Sequence, residues 1–147
     1  MNKGNQLSKL LFLLEKHEKT LVEKAIACKK RLDEEFRKYH LLSSCMAEYR
    51  EKLNATNQSI PSFTYQQYQI FFNQLEKAIA QQQDVVNRTR AVHLKWLKDI
   101  ELVKKKSENI LKLIQKEKQE IALRQDKKEM QEANDLFNRT KSQNSQK

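Results

Sequence analysis

The residue types able to do chemistry are few in this chain and poorly placed for it. His17, His40 and His93 are scattered, and none stands at metal-ligand spacing from another or from Cys28 or Cys45. A zinc or catalytic centre needs such side chains to converge, with further groups to orient them. Cys28 and Cys45 form no C-x-x-C pair, so a reducing compartment is expected to keep both as thiols. A single glycine, Gly4, rules out a Gly-rich phosphate loop, which bares several backbone N–H groups around an anion. The expectation is a protein with no cofactor, no metal and no enzymatic activity of its own.

What the sequence offers instead is surface. Tyr49, Phe63, Tyr65, Tyr68, Phe71 and Phe72 gather six of the eleven aromatic residues in one short stretch. An exposed aromatic cluster suits recognition of another protein, although packing of a turn competes for the same residues. Met130, Ala133, Leu136 and Phe137 make a short apolar stripe at helical spacing, of the kind that docks in a groove or pairs with itself. Lys+Arg number 29 against Asp+Glu 19, giving a net charge of +10. Residues 1–53 carry 12 basic and 8 acidic side chains, and residues 95–128 carry 11 and 6, including the run Lys104-Lys105-Lys106. Residues 54–94 are nearly neutral, with 3 and 2. Acids such as Glu15, Glu18, Glu23, Asp99 and Glu101 interleave with the lysines, so an acidic protein partner is favoured over nucleic acid.

The elements that must position these surfaces are helices. One Gly and one Pro in 147 residues are too few for the turns of a β-containing or loop-rich fold. The longest apolar run, Leu10–Leu14, is far too short to span a membrane or to form a signal-peptide core, so a cytoplasmic protein without direct membrane insertion is expected.

From Leu7 to Leu53 two positions recur every seven residues: Leu7, Leu14, Leu21, Cys28, Glu35, Leu42, Tyr49, and Leu11, Glu18, Ala25, Leu32, Tyr39, Met46, Leu53. Twelve of these fourteen are apolar, broken only by Glu18 and Glu35. A second stripe runs from Tyr65 to Ile121 through Phe72, Leu75, Ile79, Val86, Trp96, Ile100, Val103 and Ile110, with Gln82, Thr89 and His93 as polar interruptions. Such 4-3 spacing keeps one seam facing a partner helix.

Between the stripes, Asn54–Ser62 concentrates turn-forming residues and the sole proline, Pro61. The chain is therefore expected to be all-α, with two long helices in an antiparallel coiled-coil hairpin. Helix 1 is placed at about 4–54, the turn at about 55–62 and helix 2 at about 63–139. Together they form one coiled-coil domain over 1–141, followed by a disordered tail at 142–147. A turn near Gln58 sets residue i beside residue 117 − i, and the match of the stripes favours pairing within one chain, hence a monomer. At about 1.5 Å per residue the helices are roughly 75 and 110 Å long, so the second overhangs the first. Arg124, Lys128 and Asp135 at the seam positions beyond Ile121 fit the loss of a partner there.

Several strings sharpen this outline: Tyr49-Arg50-x-x-Leu53-Asn54, Tyr65-Gln66-Gln67-Tyr68, Leu75-Glu76-Lys77-Ala78-Ile79, the single Trp96, and Lys127-Lys128-Glu129-Met130-Gln131-Glu132-Ala133. In this order and over nearly the whole chain they resemble the flagellar export protein FliJ family. The resemblance implies a component of the flagellar type III export apparatus. It would be a stalk-like coiled coil that promotes assembly of the export ATPase FliI, contacts the export-gate protein FlhA and escorts substrate chaperones. Such a protein would sit at the cytoplasmic face of the inner membrane through the apparatus.

Carried over by position, the gate-facing patch would be Leu42, Cys45, Tyr49, Phe71, Leu75, Ala78 and Gln82. Cys45 and Gln82 stand where the family can carry larger aromatic or imidazole groups. By analogy with a rotary stalk, the ATPase-facing part would be Lys104, Lys105, Lys106, Met130, Ala133, Leu136 and Phe137, with Lys9, Lys16 and Lys19 nearby. The alternatives are the stalk of a virulence type III secretion system and a basic coiled-coil adaptor that binds nucleic acid.

Overall fold

The computed structural model describes residues 3–55 and 61–145, and every described residue except Pro61 is helical. Helix α1 spans Lys3–Ala55 and α2 spans Ser62–Ser145. The expected turn falls largely on residues 56–60, outside the described residues, as do 146–147 of the expected tail; α2 continues through Ser142 to Ser145. The first main-chain bond of α2 runs from the Tyr65 N–H to the Pro61 carbonyl at 3.0 Å. Pro61 thus occupies the capping position, where its missing N–H costs nothing, and Ser62 is already helical.

The chain forms two compact units, one made of residues 19–101 and one of residues 1–18 with 102–147. In the first, α1 and α2 pack antiparallel along the two seven-residue stripes. Leu21, Ala25, Leu32 and Met46 of α1 are buried, as are Phe72, Leu75, Val86, Thr89 and Ile100 of α2, with Val86 only 1% exposed. Met46, Phe72 and Leu75 form a cluster closed by Leu42, Leu53, Tyr68 and Ile79. The seam is one side chain deep, so each buried residue rests on a few neighbours.

The polar interruptions of the two stripes face each other. The Gln82 amide donates to the Glu35 carboxylate at 2.6 Å and to the Glu35 main-chain carbonyl at 2.9 Å. Cys28 Sγ lies 3.8 Å from the Thr89 carbonyl, to which it donates, and the Thr89 hydroxyl donates back to Val85 O at 2.8 Å. Both cross-helix pairs obey the 117 − i register. Half-buried polar groups that would weaken an apolar seam are satisfied by bonding across it.

The second unit is thinner. Val103 and Ser107 are its buried residues, and Leu7, Leu11, Leu14, Ile110, Ile114 and Glu117 are half-buried. Gly4 lies under the Glu117 side chain: a Cβ at Gly4 would sit 3.7 Å from Glu117 Oε2, an ordinary contact. From residue 118 to residue 144 every side chain is exposed. Burial along α2 therefore ends after Glu117, one turn earlier than the Ile121 limit expected from the stripe. Ile121 only borders a groove with Gly4, Asn5 and Ser8 of α1 and stays 51% exposed.

Candidate functional site

All seven residues of the expected gate-facing patch lie in the unit made of residues 19–101. They do different jobs there. Leu75 is buried in the Met46–Phe72 cluster and Leu42 packs against it, so both hold the hairpin together. Gln82 is committed to Glu35. Cys45 and Ala78 are half-buried on one flank of the seam, and both cysteines are free thiols.

The surface part of the patch is Tyr49 with Phe71. Each is 36% exposed, and their ring centroids lie 4.9 Å apart at a 59° tilt. Phe71 leans in turn on Phe72, at 6.2 Å between centroids, and the Lys52 ammonium stands 5.8 Å from the Tyr49 ring centre. Tyr49, Phe71, Thr64, Gln67 and Tyr68 line a shallow groove of about 310 Å³. Consecutive phenylalanines thus divide the work, Phe72 facing the seam and Phe71 the flank. Of the other aromatics in this stretch, Phe63 and Tyr65 are exposed and Tyr68 is half-buried. A seam one side chain wide could not cover them all, and the groove is what results.

Electrostatics at this level centres on Glu35. The hydrogen bond from Gln82 lowers its pKa below the ordinary glutamate value; partial burial opposes this, while Lys38, bonded to it at 3.3 Å, and Arg31 reinforce it. The carboxylate stays charged and fixed in place. The layer was visible in sequence only as two separate breaks, because pairing them requires the register.

Of the residues expected to face the ATPase, all but Lys19 lie in the other unit. Lys104, Lys105 and Lys106 are exposed. Met130, Leu136 and Phe137 are each 67% exposed, and Ala133 beside them is exposed too. These large apolar side chains stand out from a helix that nothing covers among the described residues. This unit also carries grooves that sequence reasoning did not single out. One is a groove of about 470 Å³ lined by Asn5, Ser8, Lys9, Phe12 and Leu13. Another is a groove of about 350 Å³ between the start of α1 and Leu113, Lys116, Glu117 and Glu120. Phe12 and Leu13 lie off the seam stripes, so only their adjacency to Leu10 and Leu11 hinted at them.

Among the described residues no three His, Cys, Asp or Glu side chains are grouped to hold a metal ion, and no helix is long and apolar enough to cross a membrane. The family model described as the flagellar FliJ protein matches residues 2–147 of the chain. None of the curated proteins and none of the solved structures compared with it matches.

Proposed function

We propose that this chain, which belongs to the flagellar FliJ family, is a non-enzymatic stalk component of the flagellar protein export apparatus that joins the export ATPase to the export gate. The family makes it a flagellar export component. The finer assignment divides two contacts between the two compact units. The unit containing residues 102–147 binds the ATPase FliI through Lys104–Lys106 and the stripe Met130, Ala133, Leu136 and Phe137. The unit made of residues 19–101 meets the gate protein FlhA through Tyr49 and Phe71, with Leu42, Cys45, Leu75, Ala78 and Gln82 shaping the surface beneath. Substrate chaperones are further partners. The chain works as a monomer, as one coiled-coil domain over 1–141, in the cytoplasm and at the inner membrane only through the apparatus.

The observation that carries this reading is the helix beyond Glu117, exposed at every side chain from 118 to 144 yet studded with large apolar groups. An element of that kind gains its burial by entering another protein. Binding energy spent there favours the assembled ATPase over free subunits by mass action, with no chemistry required of the stalk. Flagellar membership favours this system over a virulence apparatus, and the acids among the lysines favour protein over nucleic acid.

The test is ATP hydrolysis by the cognate ATPase at a concentration where it is mostly unassembled. Added protein should stimulate hydrolysis, and a chain lacking residues 129–147 should not. An unchanged rate with the intact chain, together with no co-elution, would overturn the assignment.

A further inference from the structure

In the unit made of residues 1–18 and 102–147, the buried and half-buried residues described on α2 all lie on one side of that helix. They are Val103, Ser107, Ile110, Ile114 and Glu117, the positions that meet α1. At about 100° per residue, nine residues carry a helix two and a half turns, to its opposite side. Leu123 stands nine residues beyond Ile114, Met130 nine beyond Ile121, and Phe137 nine beyond Lys128, itself a seam position. Leu123 is 65% exposed, and Met130 and Phe137 are each 67% exposed. The apolar row of the overhang is therefore not the seam carried on without its partner. It runs down the back of α2, the side turned away from α1.

Followed back toward α1, the same line meets lysines. Lys105, Lys112 and Lys116 stand within about 20° of Leu123 round the helix, and all three are exposed. Lys105 is the member of the Lys104–Lys106 run that falls on this line, with its two neighbours about 100° to either side. From Lys105 to Phe137 no acid lies within about 40° of the line; the nearest, Glu108, Glu120 and Asp126, stand about 60° off it. Among the described residues Lys112 and Lys116 take part in no ion pair. The back of α2 thus has a basic half, where α1 covers the opposite side, and an apolar half beyond Glu117.

We infer that this back face, from Lys105 to Phe137, is one continuous contact for the ATPase, and that Lys112, Lys116 and Leu123 belong to it. The inference rests on the assignment of the ATPase to this unit and deepens it by giving the partner surface its chemistry. That surface is an apolar groove for Leu123, Met130 and Phe137, leading to an acidic rim that meets the three lysines. Lys105 and Phe137 are 32 residues apart, about 48 Å along the axis. Because α1 lies on the other side, a partner seated on the overhang can extend along α2 without displacing α1. A partner that took over the place of α1 would instead lie against Ile121, Arg124 and Lys128. Apolar burial holds the far end, while attraction of opposite charges steers the approach and sets how deeply the rod seats.

The test compares near neighbours on opposite faces, by titrating the fluorescently labelled full chain with the cognate ATPase at physiological salt. Leu123→Ser should weaken binding about fivefold or more. Ile121→Ser, two residues earlier on the seam side and 51% exposed, should leave it within about twofold. Lys112→Glu/Lys116→Glu should weaken binding about tenfold or more and make it less dependent on salt. Arg124→Glu/Lys128→Glu, the same change in charge toward the seam side, should leave it within about twofold. Circular dichroism checks helicity; Leu123→Ala and Lys112→Gln/Lys116→Gln replace any variant that loses it. Suppose removal of residues 129–147 abolishes binding while either Leu123→Ser or the double lysine substitution leaves it unchanged, or the two faces lose equally. The inference is then overturned and the ATPase assignment stands. Binding unchanged by that removal overturns both. A dimer of the chain that Leu123→Ser abolishes would overturn the inference in favour of a second copy on this face.

Discussion

Phe71 and Phe72 are adjacent in sequence and identical in type, so truncating each in turn isolates what position alone contributes. Phe72 is 8% exposed and sits in the cluster with Met46 and Leu75. Removing a buried phenylalanine ring forfeits its transfer free energy and leaves a cavity, a combined cost of about 3–5 kcal/mol. On a two-helix seam the neighbours can partly close the gap, so Phe72→Ala is expected near the lower end, about 3 kcal/mol.

Phe71 is 36% exposed and its main fixed contact is the Tyr49 ring at 4.9 Å. Its truncation gives up an aromatic pair worth about 0.5–1.5 kcal/mol and some partial burial, so about 1–2 kcal/mol in all. For a chain of this size 1 kcal/mol moves the melting point by roughly 2–4 °C. Thermal unfolding followed at 222 nm should therefore fall by about 6–12 °C for Phe72→Ala and by about 2–8 °C, a third to two-thirds as much, for Phe71→Ala. Binding to the isolated cytoplasmic part of the gate protein should show the opposite order, with Phe71→Ala the more damaging at a temperature where both variants are folded. Equal destabilisation by the two, or loss of binding that simply follows loss of stability, would refute the division into a seam ring and a surface ring.

Three other outcomes follow from local features. Glu35 has its pKa lowered in the folded chain, chiefly by Gln82, so the stability it contributes is present above the ordinary glutamate value and is lost as pH falls through the lowered one; Glu35→Gln should flatten the acid side of a plot of melting temperature against pH, and an unaltered slope would show that the layer contributes nothing. The Ser107 hydroxyl is buried without a hydrogen-bond partner, so Ser107→Ala should raise stability by about 1 kcal/mol, read from thermal or urea unfolding, whereas destabilisation would reveal a missed partner. Leu136→Ser with Phe137→Ser changes two side chains that are each 67% exposed; helicity and melting should stay put while ATPase pull-down weakens, and unchanged pull-down would remove the stripe from the contact.

Much of the fold was legible because a coiled-coil seam is written in the chain at fixed intervals. Of the first stripe only Tyr49 is classed as exposed, and of the second only Tyr65 and Ile121. The two helices and their antiparallel register could therefore be reached by counting. What counting missed is informative. Glu35 and Gln82 read as independent defects, since nothing local to either indicates the other; only the pairing of distant segments makes them one bonded layer. The exposed groove at Phe12 and Leu13 was hidden for a related reason: apolar residues off the stripe carry no period, so in sequence they look like noise. For the candidate site, composition revealed an aromatic cluster but not its partition. Leu42, Leu75 and Gln82 serve the interior of the hairpin, and Tyr49 and Phe71 serve its surface, a distinction set by which face each residue presents once the seam has closed.

That partition makes register a functional quantity. Heptad seams are nearly degenerate to a slip of seven residues, because each Leu, Val or Ile finds a similar neighbour one repeat away. Polar residues break the degeneracy. A slip of one repeat would bring Glu35 opposite Leu75 or Thr89 and take Gln82 from it, leaving a half-buried carboxylate without its amide donor; Cys28 would lose the Thr89 carbonyl in the same movement. The flanks slide with the seam. Tyr49 would leave Phe71. The chain spends two polar layers in its interior, at some cost in seam strength, and what those layers secure is the alignment of the surfaces outside.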